Sequence, residues 1–140
     1  MEDHTSRSIS NLLTRLLEAH TLTSEAKGRL DQFRAHAAPP APASEEFRDV
    51  QALADFTNQR ARFQRELDQL TVEHQVHVQR YEDEKGAVAA ILPPGTSIVH
   101  DYQGEHYFIR RDGTGRFEVR PMTPEEYDRR QREWRRSQRP

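Results

Sequence analysis

The chain contains no cysteine. That excludes disulfides, thiolate metal sites and a cysteine nucleophile. It also lacks long apolar runs: no stretch approaches the ~18 consecutive apolar residues of a membrane-spanning helix. The opening Met1-Glu2-Asp3-His4 is acidic with no apolar segment behind it, so no signal peptide is expected and a cytoplasmic location is. Apolar residues in general are scarce, at 34% of the 140, against a usual ~45–50% for globular chains. A chain so composed does not fill a large core, but it can fold as long helices with narrow apolar seams. Lysine is nearly missing too. Lys27 and Lys85 are the only two among 21 basic residues, an arginine bias of the kind a GC-rich, bacterial genome produces.

What is present divides by period. Ile9, Leu12, Leu16, Ala19, Thr23, Ala26, Leu30, Phe33 and Ala37 recur at steps of three and four. They predict a helix over about 8–37 that starts near Ser6 or Ser8. The polar stretch Thr21–Ser24 is the weak point, where a kink or a second cap is conceivable. Ala38-Pro39-Pro40-Ala41-Pro42-Ala43 stops the helix, because proline donates no hydrogen bond and biases its predecessor toward extended backbone. Ser44, followed by Glu45 and Glu46, reads as the cap of a second helix over about 45–90. Its seam carries Leu53, Phe56, Phe63, Leu67, Leu70, Tyr81, Val88 and Ile91. At ~1.5 Å per residue the two helices would measure roughly 45 and 70 Å. Unequal arms leave apolar side chains over, so self-association is expected, most simply as a homodimer or higher oligomer. Leu53, Phe56, Phe63, Leu67 and Leu70 against Leu12, Leu16, Leu30 and Phe33 are the expected seam.

Pro93-Pro94-Gly95 ends the second helix, and the pattern then alternates. Strands are expected at Thr96–Tyr102, Glu105–Arg111 and Arg116–Arg120. They are joined by a two-residue turn at Gln103-Gly104 and a second turn at Asp112-Gly113-Thr114-Gly115. This register pairs Ile98 with Ile109, His100 with Tyr107, Ile109 with Phe117, and Tyr107 with Val119. It puts Ile98, His100, Tyr107, Ile109, Phe117 and Val119 on one face, and Val99, Asp101, His106, Phe108, Arg110, Arg116 and Glu118 on the other. Thr123-Pro124-Glu125-Glu126 announces a last helix to about Arg136, with Tyr127 and Trp134 on the face expected to cover the meander. The fold class is therefore α+β, mainly α. A helical hairpin over 1–92 precedes a three-stranded antiparallel meander and a basic helix over 93–140.

No pattern points to catalysis. His74 and His77, beside Glu73, sit at i and i+3 and could share a metal, but Tyr81 holds the next position on that face and no HExxH is present. Asp101 should face His106 across the first hairpin, with no nucleophile placed beside the pair. Pro93-Pro94-Gly95-Thr96-Ser97 has neither the lysine nor the following helix of a phosphate loop, and Asp112–Gly115 is too short for a calcium loop. Neither a cofactor nor a metal is expected.

Charge does point somewhere. Net charge is −2 over the whole chain, yet residues 1–94 sum to −4 and residues 95–140 to +2. Arg129, Arg130, Arg132, Arg135, Arg136 and Arg139 surround Trp134. Arg110, Arg111, Arg116 and Arg120 could extend that surface. Arginines flanking an aromatic ring can hold phosphates while the ring stacks on a base. They can equally balance a helix C-terminus or meet an acidic protein. The expected function is a non-enzymatic, self-associating scaffold or adaptor, whose contact residues are Phe108, Arg110, Arg116, Arg130, Trp134 and Arg135. The alternative is a nucleic-acid-binding protein that uses the arginine-rich helix.

Overall fold

The computed structural model describes residues 4–138. The expected start of the chain and Arg139 thus lie partly or wholly outside the described residues. In order, the elements are α1 (His4–His36), α2 (Val50–Ala89), β1 (Thr96–Tyr102), β2 (Glu105–Arg111), β3 (Phe117–Pro121) and α3 (Pro124–Ser137). The α+β, mainly α layout read from the sequence is the one found. The sheet is antiparallel in the order β1-β2-β3.

The chain does not divide at the end of the second helix. The described residues up to His20, with those from Tyr81 onward, form one compact unit, and Thr21–Arg80 form the other. The expected boundary near residue 92 is thereby corrected. The reason lies in the core of the first unit, where Leu13, Leu16 and Leu17 of α1 pack with Val88 of α2 and Ile109 of β2. Ile98, Tyr107, Phe117 and Val119 lie against this cluster. One face of a three-stranded sheet has too little area to bury itself, so the first turns of α1 and the last of α2 bury it.

Arg111 ties α2 to the sheet. Its guanidinium donates to the carbonyls of Ala89 and Leu92, both at 3.0 Å. These belong to the end of α2, where carbonyls have no helical partner and a cation is favoured. Gly95, in the left-handed region at φ 81°, donates its N–H to the Arg111 carbonyl at 2.7 Å. Arg111 was expected on a basic surface; instead it closes a helix end.

The first hairpin has the expected register, Ile98 to Ile109 and Asp101 to His106. Its turn takes positive φ at both Gln103 (51°) and Gly104 (78°), the geometry that matches strand twist. The second hairpin differs. Ile109 pairs with Val119, Tyr107 with Pro121 and Arg111 with Phe117, two residues away from expectation. The turn is centred one residue later than the pattern suggests. Asp112 still bonds across to the Arg116 carbonyl, while its carboxylate accepts from the N–H groups of Thr114 and Arg116, each at 2.9 Å. Gly115 takes φ 92° inside the loop. A shift of two keeps every side chain on its expected face.

Two helix starts also need correction. α1 begins at His4, before the expected Ser6 or Ser8, and runs unbroken through Thr21–Ser24. The Thr23 hydroxyl there donates to the His77 carbonyl at 2.9 Å, so the polar centre gains a partner on α2 instead of a break. α2 begins at Val50, not near Glu45. Ser44 closes a local turn with Glu46, and Asp49 caps α2 by accepting the Ala52 N–H at 2.8 Å. Replacing Asp49 with Ala should therefore cost about 1 kcal/mol of stability, while Ser44→Ala should cost only a few tenths. Urea unfolding of the two variants checks this, with the opposite order counting against the assignment.

Candidate interaction surface

The second face of the sheet lies under α3. Thr123 caps this helix by accepting the Glu126 N–H at 3.1 Å, with Pro124 in its first turn, as expected. Arg120 reaches up from β3 and forms a two-pronged ion pair with Glu126, at 2.8 and 2.6 Å, while also bonding Glu118 at 3.0 Å. The pairing holds the Glu126 carboxyl below its usual range and pushes the Arg120 guanidinium up. Tyr127 stacks flat on His106, with ring centres 3.5 Å apart. His106 Nδ1 in turn contacts the Asp101 carboxylate, the cross-strand pair read from the sequence. That histidine lies between a ring and a carboxylate with no nucleophile in the arrangement.

Phe108 sits beneath these groups. It is buried at 4% exposure, and the guanidiniums of Arg130 and Arg120 lie 4.3 and 4.9 Å from its ring centre. Cation–π contact of this sort is worth roughly 0.5–2 kcal/mol. Phe108 therefore belongs to the interior, not to a contact surface as expected, because its face of the sheet is covered by α3. Arg130 is likewise committed, over that ring. Arg110, Arg116 and Arg135 are exposed, as is Trp134 at 61%. Tyr127 thus covers the sheet as expected, whereas Trp134 does not.

Between β1 and α3 lies an open groove of about 660 Å3. Ser97, Ile98 and Val99 line one wall, and Tyr127, Arg130 and Trp134 the other. The sequence pattern placed Tyr127 and Trp134 on one helix face but not the groove they help form. A single 14-residue helix covers this sheet face only partly, and the uncovered portion is what remains beside β1.

The helical unit, Thr21–Arg80, supplies a second surface. Its only buried apolar side chains are Ala26 and Leu30 of α1. No residue of α2 between Val50 and Arg80 is buried. Phe33 meets Phe63 with ring centres 5.1 Å apart, and Phe47 meets Phe56 at 5.4 Å. These rings, with Leu67 and Leu70, are half-buried. Leu53 is 46% exposed, so it stands outside the seam assigned to it, and Val72 and Val76 are more exposed still. Leu12 and Leu16 also leave the expected seam: they serve the core under the sheet. Arg29 pairs with Glu73 across the two helices. That pairing occupies the carboxylate nearest His74 and His77, and among the described residues no cluster of three metal-ligating side chains occurs.

Comparison with protein-family models, with curated proteins and with solved structures finds no match to this chain. Among the described residues, no helix is long and apolar enough to cross a membrane.

Two partly buried histidines should make the sheet-bearing unit acid-sensitive. His100 Nε2 meets the Thr14 hydroxyl at 3.0 Å, and the His20 ring packs edge-on against Tyr81 at 5.4 Å. Burial lowers both imidazole pKa values; at His100 the nearby Asp101 opposes this only in part. The unfolded chain then binds more protons than the folded one just below the ordinary histidine pKa of ~6.5. Stability should be fully present above ~6.5 and fall as pH drops from 7 toward 5, before carboxylates titrate. Thermal unfolding across that window checks the sign, and His20→Gln with His100→Gln should flatten the slope. An unchanged slope in that double variant would refute the assignment.

Proposed function

We propose that this protein is a non-enzymatic scaffold or adaptor that self-associates through its helical arms and recognises a partner through the α3 end of its sheet. The observation that carries this reading is the unclosed seam of Thr21–Arg80, where Phe33, Phe56, Phe63, Leu67 and Leu70 are only half-buried. Full burial of such a side chain is worth about 1.5–3 kcal/mol, and two helices alone enclose only one side of a seam. Two more helices from a second copy complete a four-helix arrangement and recover the remainder. A two-fold arrangement does this with one self-complementary patch.

A second reading is supported by α3. Arg132, Arg135 and Arg136 are exposed next to exposed Trp134, a combination suited to phosphates and an unstacked base. The scaffold reading ranks first because Arg120 and Arg130 are held by Glu126 and Phe108, and because Glu125, Asp128 and Glu133 share the helix.

Light scattering from the purified chain tests the first reading. A mass of twice 16.4 kDa that falls to one chain in Leu67→Glu, with helical content kept by circular dichroism, is the expected result. A monomer at all concentrations up to about 100 µM, with full helicity, would overturn it.

A further inference from the structure

The two edges of the sheet are not alike. Hydrogen-bonded and open positions alternate along an antiparallel pair. The His106 carbonyl accepts from the Met122 N–H at 2.8 Å, so the backbone groups of His106 point toward β3. Asp101 stands opposite His106 on β1. Its own N–H and carbonyl therefore turn away from β2, and by alternation so do those of Val99 and Ser97. Among the described residues, nothing in the chain meets these groups. On β3 the same alternation leaves Phe117, Val119 and Pro121 pointing outward. Pro121 has no N–H to offer there, which is one way a sheet edge is kept from pairing. β1 has no such guard. Its seven residues contain no proline, and they pair with β2 without a bulge.

The β1 edge is also complementary to itself. In a second copy laid antiparallel beside it, outward groups meet only where Ser97, Val99 and Asp101 face members of the same set. A two-fold axis at Val99 pairs all of them: Ser97 with Asp101 of the second copy, Val99 with Val99, and Asp101 with Ser97. Side chains opposed in this way share a sheet face and lie close together. The exposed Asp101 carboxylate thus meets a serine hydroxyl at both ends of the contact. An axis at Asp101 would instead oppose two carboxylates, which is unfavourable. An axis at Ser97 would leave Val99 and Asp101 without partners. The register centred on Val99 satisfies the most backbone groups and brings no like charges together.

We propose that the β1 edge pairs with the β1 edge of a second copy of this chain, antiparallel about Val99, to make one continuous sheet. The contact is separate from the hairpin seam and stands whether or not that seam joins copies. A short edge sets few net hydrogen bonds against the cost of association, so the pairing belongs to the roughly millimolar range.

The experiment uses the full chain and its Leu67→Glu variant, in which the hairpin seam is disabled. Residue-resolved amide exchange is followed by nuclear magnetic resonance from about 50 µM to about 2 mM protein. Exchange at the Val99 amide should slow about twofold or more across that range in both chains, while the Ile98 and His100 amides, which point toward β2, stay constant. Ser97→Asp sets two carboxylates against each other and should abolish the slowing. Ser97→Lys sets a cation against Asp101 and should enlarge it. Within one copy Ser97 faces Arg110, so the two substitutions act on the fold in the opposite sense, and urea unfolding separates fold from pairing. Concentration-dependent exchange at Val99 in a chain that light scattering finds monomeric at about 100 µM would sustain this proposal while the hairpin reading fails. A Val99 amide that exchanges at one rate throughout the range would overturn it, as would equal effects of the two charges at position 97.

Discussion

Ile109 has to be buried, and the sheet that carries it cannot do so alone. A three-stranded meander offers one apolar face, and water is excluded from it only because Leu13, Leu16 and Leu17 of α1 and Val88 of α2 lie there, each at 2% exposure or less. Much follows from that allocation in a chain with so few apolar residues. The strongest leucine cluster of α1 is consumed beneath the sheet, and the remaining helical residues are left with a seam of rings and leucines that two helices do not enclose. Arg111 reinforces the arrangement by closing the end of α2 from β2.

The opposite face of the sheet follows different rules. There the covering helix is rich in charge, and the contact is made by flat groups stacked on one another: Tyr127 on His106, and two arginines over Phe108. Guanidinium groups cover an aromatic ring without requiring apolar side chains, which suits a chain of this composition. The cover is short, so a groove remains beside β1, and Trp134 stands at its rim.

Much of the fold was legible because local rules were strong. Pro124 after Thr123 fixed one helix start, and the Gln103-Gly104 turn fixed one register. The second hairpin was misread by two residues because both registers place the same side chains on the same face; the strand pairing, with the turn that Asp112 closes, distinguishes them. Ser44 looked like a cap by type and by its following acids, yet Asp49 is the residue whose carboxylate meets a free helical N–H. Phe108 and Arg111 were assigned to the surface because alternation tells which face a residue occupies, not whether a helix covers it. The partition of α1, half for the sheet and half for the hairpin, could not be read from a seam that keeps one period throughout.

The central claim is that Thr21–Arg80 lacks a closed core of its own and gains one from a second copy. Amide hydrogen exchange measured at low and high protein concentration tests this most directly. Protection of α2 amides between Val50 and Arg80 should rise with concentration, while that of β2 around Ile109 stays constant. Equal protection of both regions at every concentration would contradict the account.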